Sequence, residues 1–418
     1  MSATIAGASW LNDPQLQKLL AVLNADDGEA RIAGGAVRNT LLGEPVADVD
    51  IATTNLPDET VRRAEAAGFR TAPTGAEHGT ITVIAGGKPF EVTTLRADVE
   101  TDGRRAKVVF GNDWTADAER RDFTINALYA LADGSVIDLV GGLTDLESRT
   151  LRFIGDAETR IREDYLRILR FFRFFAWYGK GRPDAEGLKA CARLKDGIAR
   201  LSAERVWSEL KRLLGAPDPS RALLWMRQAG VLTAALPESE KWGIDAIHAL
   251  VRAEHDLGWK ADPLLRLESI VPPDAARMKT LGDRLRLANV ETDRLVQWAA
   301  TAKVEPVATE GELAKRLYRG NVEALADRLR LDLASARGRA EQDDKALIEA
   351  GGYFRLLSFS DKWQKPDFPL RGGDLAPLGV EGAALGSLLK AVEREWVDSG
   401  FTLGRDALLE RAAERLKA

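Results

Sequence analysis

Asp48 and Asp50 are separated by one residue in Ala47-Asp48-Val49-Asp50-Ile51-Ala52 and follow closely on Gly34-Gly35 and Arg38. This spacing predicts a site for a metal and a triphosphate. Val49-Asp50-Ile51 reads as a strand, on which residues i and i+2 face the same way, so both carboxylates project together and Val49 points to the core. Paired carboxylates form a hard oxygen site of the kind that suits Mg²⁺ carrying substrate phosphates. Gly34-Gly35 opens a short helix, where backbone N–H groups and the helix dipole favour an anion and the missing side chain lets a phosphate approach the backbone. Arg38, one turn in, is a fixed cation within reach of the same phosphates. The segment lacks the Gly-Lys-Ser or Gly-Lys-Thr of a Walker loop, and it is not a dinucleotide fingerprint.

Two further groups extend this set. Glu91, in Pro89-Phe90-Glu91-Val92-Thr93, becomes a third carboxylate for a two-metal site if its strand neighbours the aspartate strand. Arg120-Arg121-Asp122-Phe123-Thr124-Ile125-Asn126-Ala127 places two guanidinium forks, suited to a triphosphate, beside a carboxylate and an amide.

The elements that must position these residues are short. Arg31-Ile32-Ala33 predicts a strand entering Gly34-Gly35, followed by a helix through Leu42 that Gly43 and Pro45 end. A helix from Pro57 to about Ala67 and strands around Thr80–Ile84 and Phe90–Leu95 follow. Asp133-Gly134, between Leu128–Ala132 and Ser135–Leu139, predicts a two-residue hairpin. The expected fold class is an α+β head, a small mixed and mostly antiparallel sheet with helices on one side. After Leu151 helical periodicity continues to Ala418, broken at Pro217-Asp218-Pro219, Pro272-Pro273 and Lys365–Pro369. The expected domains are a head over 1–150, a helical neck over 151–215, and a helical body and tail over 216–418.

Composition narrows the classes. The chain has 418 residues, 45% of them hydrophobic and 29% charged, which predicts a multidomain globular protein. No apolar run has the length of a membrane span, and Met1-Ser2-Ala3-Thr4-Ile5 lacks the basic-then-apolar pattern of a secretion signal, so a cytoplasmic location is expected. Cys191 is the single cysteine, which excludes an internal disulfide and a thiolate cluster. His78, His248 and His255 are too few for a multi-histidine centre, and His255-Asp256 is read as chance. The net charge of −5 rules out a surface that is basic all over, yet Leu151–Gly215 carries fifteen Lys and Arg against nine Asp and Glu, a local basic face for RNA phosphates. Nothing in the sequence calls for a protein partner.

Gly34-Gly35-Ala36-Val37-Arg38, Asp48-Val49-Asp50, Arg120–Ala127 and Glu163-Asp164-Tyr165-Leu166-Arg167 occur in the order and spacing of the bacterial-type tRNA nucleotidyltransferases, the CCA-adding enzymes, whose motifs bacterial poly(A) polymerases share. The chain resembles that family most strongly from about Arg31 to Leu214, with Leu201-Ser202-Ala203-Glu204-Arg205 resembling the closing neck motif. Pro369–Leu375 and Gly379–Gly386 are similar to the glycine-rich C-terminal segment of some members. Asn39 stands where an aspartate often follows the arginine, and Glu381 where a proline is common.

The resemblance implies that Asp48 and Asp50 hold Mg²⁺, that Gly35 (beside Gly34), Arg38 and Arg121 hold the triphosphate, that Asp164 and Arg167 read the incoming base, and that Arg170 and Arg173 contribute to the nucleotide pocket. It implies CTP and ATP as substrates and tRNA as partner. Base chemistry supports the reading pair. Cytosine and adenine each offer an amine donor beside a bare ring nitrogen, matching an acceptor-only Asp164 and a donor-only Arg167, whereas guanine and uracil present the opposite pattern. At i and i+3 on one helix the two side chains are expected to be neighbours. Arg167, Arg170 and Arg173 form a ladder beside the aromatics Phe171, Phe172, Phe174, Phe175 and Trp177, expected to be core, and such a ladder calls for a polyanion to face. Thr101-Asp102-Gly103-Arg104-Arg105-Ala106-Lys107 has the basic pattern of the flexible loop in members that add all three nucleotides.

The expected activity is template-independent addition of C, C and A to tRNA 3′ ends. The rivals are a poly(A) polymerase on the same site and a catalytically idle tRNA-binding protein on the same scaffold.

Overall fold

The computed structural model describes residues 3–75, 79–102, 105–240 and 242–417; His78, Gly103 and Arg104, named above, lie outside them. The chain divides into two compact units, Met1–Pro237 and Glu238–Ala418.

The first unit holds strands β1 (Ala30–Ala33), β2 (Asp50–Thr53), β3 (Arg70–Gly75), β4 (Thr80–Ala85), β5 (Lys88–Thr94), β6 (Arg96–Asp102), β7 (Arg105–Phe110), β8 (Leu128–Ala130) and β9 (Val136–Asp138). Seven of them form one sheet in the order β3-β4-β5-β2-β1-β8-β9, and β6 and β7 pair separately. Every contact in the large sheet is antiparallel except β2 with β5. That parallel contact requires a crossover, which α3 (Pro57–Ala66), β3 and β4 provide.

The register places Tyr129, Ala33, Asp50 and Glu91 in one transverse row, as the successive Cα pairs Tyr129↔Ala33, Ala33↔Asp50 and Asp50↔Glu91. Side chains alternate along each strand, so Ile32, Ile51 and Val92, one residue on, face the opposite side and are buried. There α1 (Pro14–Leu23) and α3 pack. Pro14 at the start of α1 suits a position whose N–H has no helical partner, and Asp13 caps the turn by accepting from Gln15 N–H at 2.8 Å. The other face is not left open throughout, as the sequence suggested. Trp114 and Ala118 of α4 (Trp114–Glu119) pack on Ala33, Ala52 and Tyr129.

One local expectation changes. The Asp133-Gly134 hairpin has a three-residue loop, because Leu131 N–H bonds Ser135 O at 3.0 Å, and Gly134 stands at φ 86°, the left-handed residue of that wider turn. Strand β3, with Pro73 inside it, is not among the strands expected from the sequence and forms one edge of the sheet.

Helices α2 (Gly35–Leu42), α5 (Gly142–Glu147), α6 (Ala157–Glu163), α7 (Leu166–Tyr178), α8 (Ala185–Leu194), α9 (Ala203–Leu214), α10 (Ser220–Gln228) and α11 (Val231–Ala235) complete this unit. Phe171, Phe172, Phe174 and Phe175 of α7 are buried and form its core with Phe123 and Phe153; the Phe153 and Phe171 rings stack at 5.4 Å. Trp177 is 41% exposed and lies outside that core.

The second unit is helical: α12 (Asp245–Leu257), α13 (Pro263–Ile270), α14 (Ala275–Leu285), α15 (Asn289–Ala300), α16 (Glu310–Arg319), α17 (Val322–Arg339), α18 (Asp344–Lys362), α19 (Gly372–Leu375), α20 (Gly382–Asp398) and α21 (Arg405–Arg415). One apolar core lies between α16, α17 and α18 and another gathers Leu375, Leu388, Val392, Trp396 and Leu408. Among the described residues no single helix is long and apolar enough to cross a membrane.

Candidate active site

Gly34 has φ 63° and ψ −109°, which leaves the chain in a turn that a side chain would strain. A Cβ there would also stand 3.2 Å from Asn126 O and 3.3 Å from Arg121 Nη1. No side chain caps the first turn of α2 that follows. The turn thus presents uncapped helix-start backbone beside an arginine, the polarity an anion needs. Gly34→Ala is expected to lower stability by about 1–3 kcal/mol through backbone strain alone, read as a drop in unfolding midpoint.

The acidic edge adjoins this turn through Ala33. Asp50 opens β2 and Glu91 stands beside it in β5, both exposed on the same face. Asp48 lies before the strand rather than on it, and Val49 is half-buried rather than in the core, because β2 pairing begins only at Asp50. Surrounding protein atoms strip water from the Asp50 carboxylate although its edge is open, and this, with the negative charges of Glu91 and Asp48, pushes its pKa up against the pull of Arg121. The edge therefore carries surplus negative charge, which fits a cation. Among the described residues no three acidic, His or Cys side chains close into a ready-made metal cage. Two carboxylates completed by water and phosphate oxygens is the arrangement Mg²⁺ prefers.

Arg121 reaches the glycine turn with Nη1 on Asn126 O at 3.3 Å, and its other edge rests on Asp117. Arg38 is 7% exposed and packed beneath the turn, its Nη2 3.7 Å from where a Cβ on Gly35 would stand. Its donors go to Asn126 Oδ1, to Asn39 Oδ1 at 3.0 and 3.1 Å, and to the Tyr178 hydroxyl at 2.9 Å. Asn39 is thus a local acceptor for Arg38, the part an aspartate would play with a charge.

The neck differs from the sequence reading in two respects. Asp164 and Arg167 do not share one helix: α6 ends at Glu163, Asp164 is extended, and α7 starts at Leu166. Their side chains hold other partners, Asp164 Oδ2 accepting from Arg205 Nη2 at 2.6 Å and Arg167 Nη1 donating to Glu163 and, at 2.7 Å, to Arg160 O. The arginine ladder, moreover, needs no external polyanion, since the chain supplies its counter-charges. Arg170 binds Asp122 Oδ2 through Nε at 2.6 Å, and Arg173 Nε lies 2.6 Å from Glu209, an ion pair too bent for a hydrogen bond. Burial pushes the Asp122 carboxyl up, but Arg170, Asn126 and the Phe123 N–H together bring it below the usual range.

Asp117, Asp122, Asn126, Tyr178, Glu163, Arg205 and Glu209 all bear on this site, and sequence reasoning assigned none of them a role. The signal available was proximity: Asp122 and Asn126 lie in the same stretch as Arg121, and Glu163 and Arg205 each sit inside a quoted motif.

A family model described as the poly A polymerase head domain matches residues 30–152, and one described as a probable RNA and SrmB-binding site of polymerase A matches residues 182–242. The chain is 34% identical over 404 residues to the mitochondrial CCA tRNA nucleotidyltransferase 1 of Mus musculus, covering 94% of this chain and 88% of the relative. It is also 34% identical over 410 residues to a CCA-adding enzyme of Streptococcus pneumoniae (strain CGSP14), covering 94% and 96%. The Bacillus stearothermophilus CCA-adding enzyme, solved in complex with CTP, aligns at a TM-score of 0.73 and 26% identity over 97% of this chain and 98% of that one. The Thermotoga maritima CCA-adding enzyme complexed with tRNA shares the fold, with a TM-score of 0.64 at 18% identity over 97% and 96%. With its glycine turn, acidic edge and arginine-rich neck in one unit and these relatives matched along nearly their whole length, the chain belongs to the family of CCA-adding tRNA nucleotidyltransferases.

Proposed function

We propose that this chain adds C, C and A to the 3′ end of tRNA from CTP and ATP, without a template. The observation that carries the reading is the row Ala33, Asp50, Glu91, which sets two carboxylates beside the Gly34 turn on the face that Arg121 also reaches. Gly34 and Gly35 admit the triphosphate to the backbone of α2. Arg121 grips it from the side, and Arg38 contributes its charge from below. Asp48 and Asp50 would hold Mg²⁺, which when bound supplies charge neutralisation at the phosphates. Glu91 adds the third negative charge of that edge.

In the transfer the tRNA 3′-hydroxyl gives up its proton to solvent, its oxygen forms a bond to the α-phosphorus, the bond to the bridging oxygen breaks, and pyrophosphate leaves with its electron pair. The chain's own contribution is to align these atoms and balance the charge that shifts to the leaving group. Asp164 and Arg167 read the base by exchanging Arg205 and Glu163 for its amine and ring nitrogen, while Arg170 and Arg173 shape the pocket wall. We assign catalysis to the head (1–150), base reading to the neck (151–215) and tRNA grip through phosphates and shape to the body and tail (216–418). A cytoplasmic location is in keeping with the lone buried Cys191.

The test is incorporation of radiolabelled CTP or ATP into a tRNA lacking its last three nucleotides. A poly(A) polymerase would use ATP alone and extend without limit, and an idle binding protein would incorporate neither. Replacing Gly103-Arg104-Arg105-Ala106-Lys107 by a neutral linker is expected to spare C addition and impair the terminal A, resolved on a sequencing gel. Equal loss of both would reduce this segment to a phosphate contact; its Arg105, Ala106 and Lys107, read from the sequence as part of a flexible loop, open β7 and pair with β6.

A further inference from the structure

Arg121 spans from Asn126 O at the Gly34 turn to a carboxylate that solvent barely reaches. The Asp117 side chain is 1% exposed. Its Oδ2 accepts from Arg121 Nη2 at 3.0 Å and Nε at 3.3 Å and from the Tyr129 hydroxyl at 2.7 Å. Its Oδ1 accepts from Arg120 Nε at 2.8 Å. One carboxylate thus serves two guanidinium groups, which leaves the cluster with a surplus positive charge. Arg121 carries that surplus to the Gly34 turn, within the electrostatic reach of Asp50.

The carrier of Asp117 is itself pinned. At the start of α4 the Trp114 Nε1 donates to Glu29 Oε2 at 2.7 Å, and the Arg31 guanidinium lies 3.8 Å over its ring. Trp114 also meets Tyr129 edge to face at 5.3 Å. Tyr129 stands in the same transverse row as Asp50. The carboxylate is therefore fixed from the helix and from the sheet, and through it a long, flexible arginine is held in one geometry before substrate arrives. An arginine already ordered loses less freedom when a phosphate binds it.

We propose that Asp117, braced by Tyr129, is a positioning residue for the triphosphate end of the nucleotide, acting on substrate only through Arg121. The inference rests on the reading of Arg121 as a triphosphate contact. A carboxylate that served only as counter-charge for two arginines would have the opposite effect, since its removal would strengthen the positive field and tighten nucleotide binding.

The experiment compares Asp117→Asn, Tyr129→Phe, Arg121→Ala and the doubles Asp117→Asn/Arg121→Ala and Tyr129→Phe/Arg121→Ala in the full chain. It measures KM and kcat for CTP and ATP and product inhibition by pyrophosphate. Asp117→Asn is expected to raise KM for both nucleotides about tenfold and to weaken pyrophosphate inhibition equally, with a much smaller change in kcat, as loss of a charged hydrogen bond would. Added to Arg121→Ala it should cause no further loss, because the residue it positions is gone. Tyr129→Phe, which keeps the ring packing, should show a weaker form of the same pattern, about threefold, and carries the test if the Asp117 variant melts early. Losses that add in the double mutants, an unchanged KM, or a lowered KM would each overturn the proposal. If Arg121→Ala alone leaves KM and pyrophosphate inhibition unchanged, the failure lies with the triphosphate reading of Arg121, and the inference falls with it.

Discussion

Asp48→Asn and Asp50→Asn are each expected to abolish incorporation of both C and A while tRNA binding survives. Each change removes a charged oxygen ligand and leaves the neck and the helical second unit untouched. The loss of one ligand should remove several kcal/mol of transition-state stabilisation, on the order of a thousandfold or more in rate. Loss of fold would mimic this result, and the electrostatics of Asp50 provide the control. Its pKa is raised by lost hydration and by Glu91 and Asp48, so in the folded state its ionised form is disfavoured. A carboxyl shifted upwards weakens the fold at pH values above its folded pKa and ceases to do so as pH falls below its unfolded one. Asp50→Asn should therefore not lower the unfolding midpoint at neutral pH, and any gain it shows should fade in acid. Thermal melts at two pH values, with a tRNA gel shift and an incorporation assay in Mg²⁺, cover the three readouts. Substantial turnover by either variant would show that these carboxylates are not the ligands.

Asp164→Ala and Arg167→Ala are expected to lose discrimination as well as rate. Asp164 accepts the exocyclic amine and Arg167 donates to the ring nitrogen, the pattern shared by cytosine and adenine and opposed by uracil. A well-placed charged hydrogen bond of this kind is worth about 1–3 kcal/mol, or roughly ten- to a hundredfold between right and wrong base. Both side chains already hold ion pairs, Asp164 with Arg205 and Arg167 with Glu163. The base therefore competes with protein partners for them. Glu163 keeps its pair with Arg160 when Arg167 turns to the base, so that exchange leaves the carboxylate with a counter-charge. The measurement is kcat/KM for CTP and for UTP on a tRNA lacking its end. A ratio that stays at the wild-type value while both constants fall equally would make Asp164 and Arg167 structural, with base reading placed elsewhere.

What the sequence determined by itself was chemistry that is local along the chain. The Gly34 turn was readable because its backbone angles exclude most side chains, and its meaning for an anion follows from the helix start beside it. The strand at Ile81 and Val83 and the aromatic face of α7 are similarly local, since strand and helix periods act over a few residues. The tertiary structure decided which charges meet. Glu91 stands beside Asp50 only because a crossover through α3, β3 and β4 brings β5 parallel to β2. Arg38 lies beneath the turn because Asn126 and Tyr178, 88 and 140 residues away, take its donors. The spacing of Asp164 and Arg167 suggested neighbours on one helix, but the helix breaks between them, and Arg205, 41 residues on, takes the aspartate instead. Each arginine has several donors and a long stem, so sequence spacing leaves its partner open; the partner is settled by which carboxylate the packed elements bring within reach and strip of water.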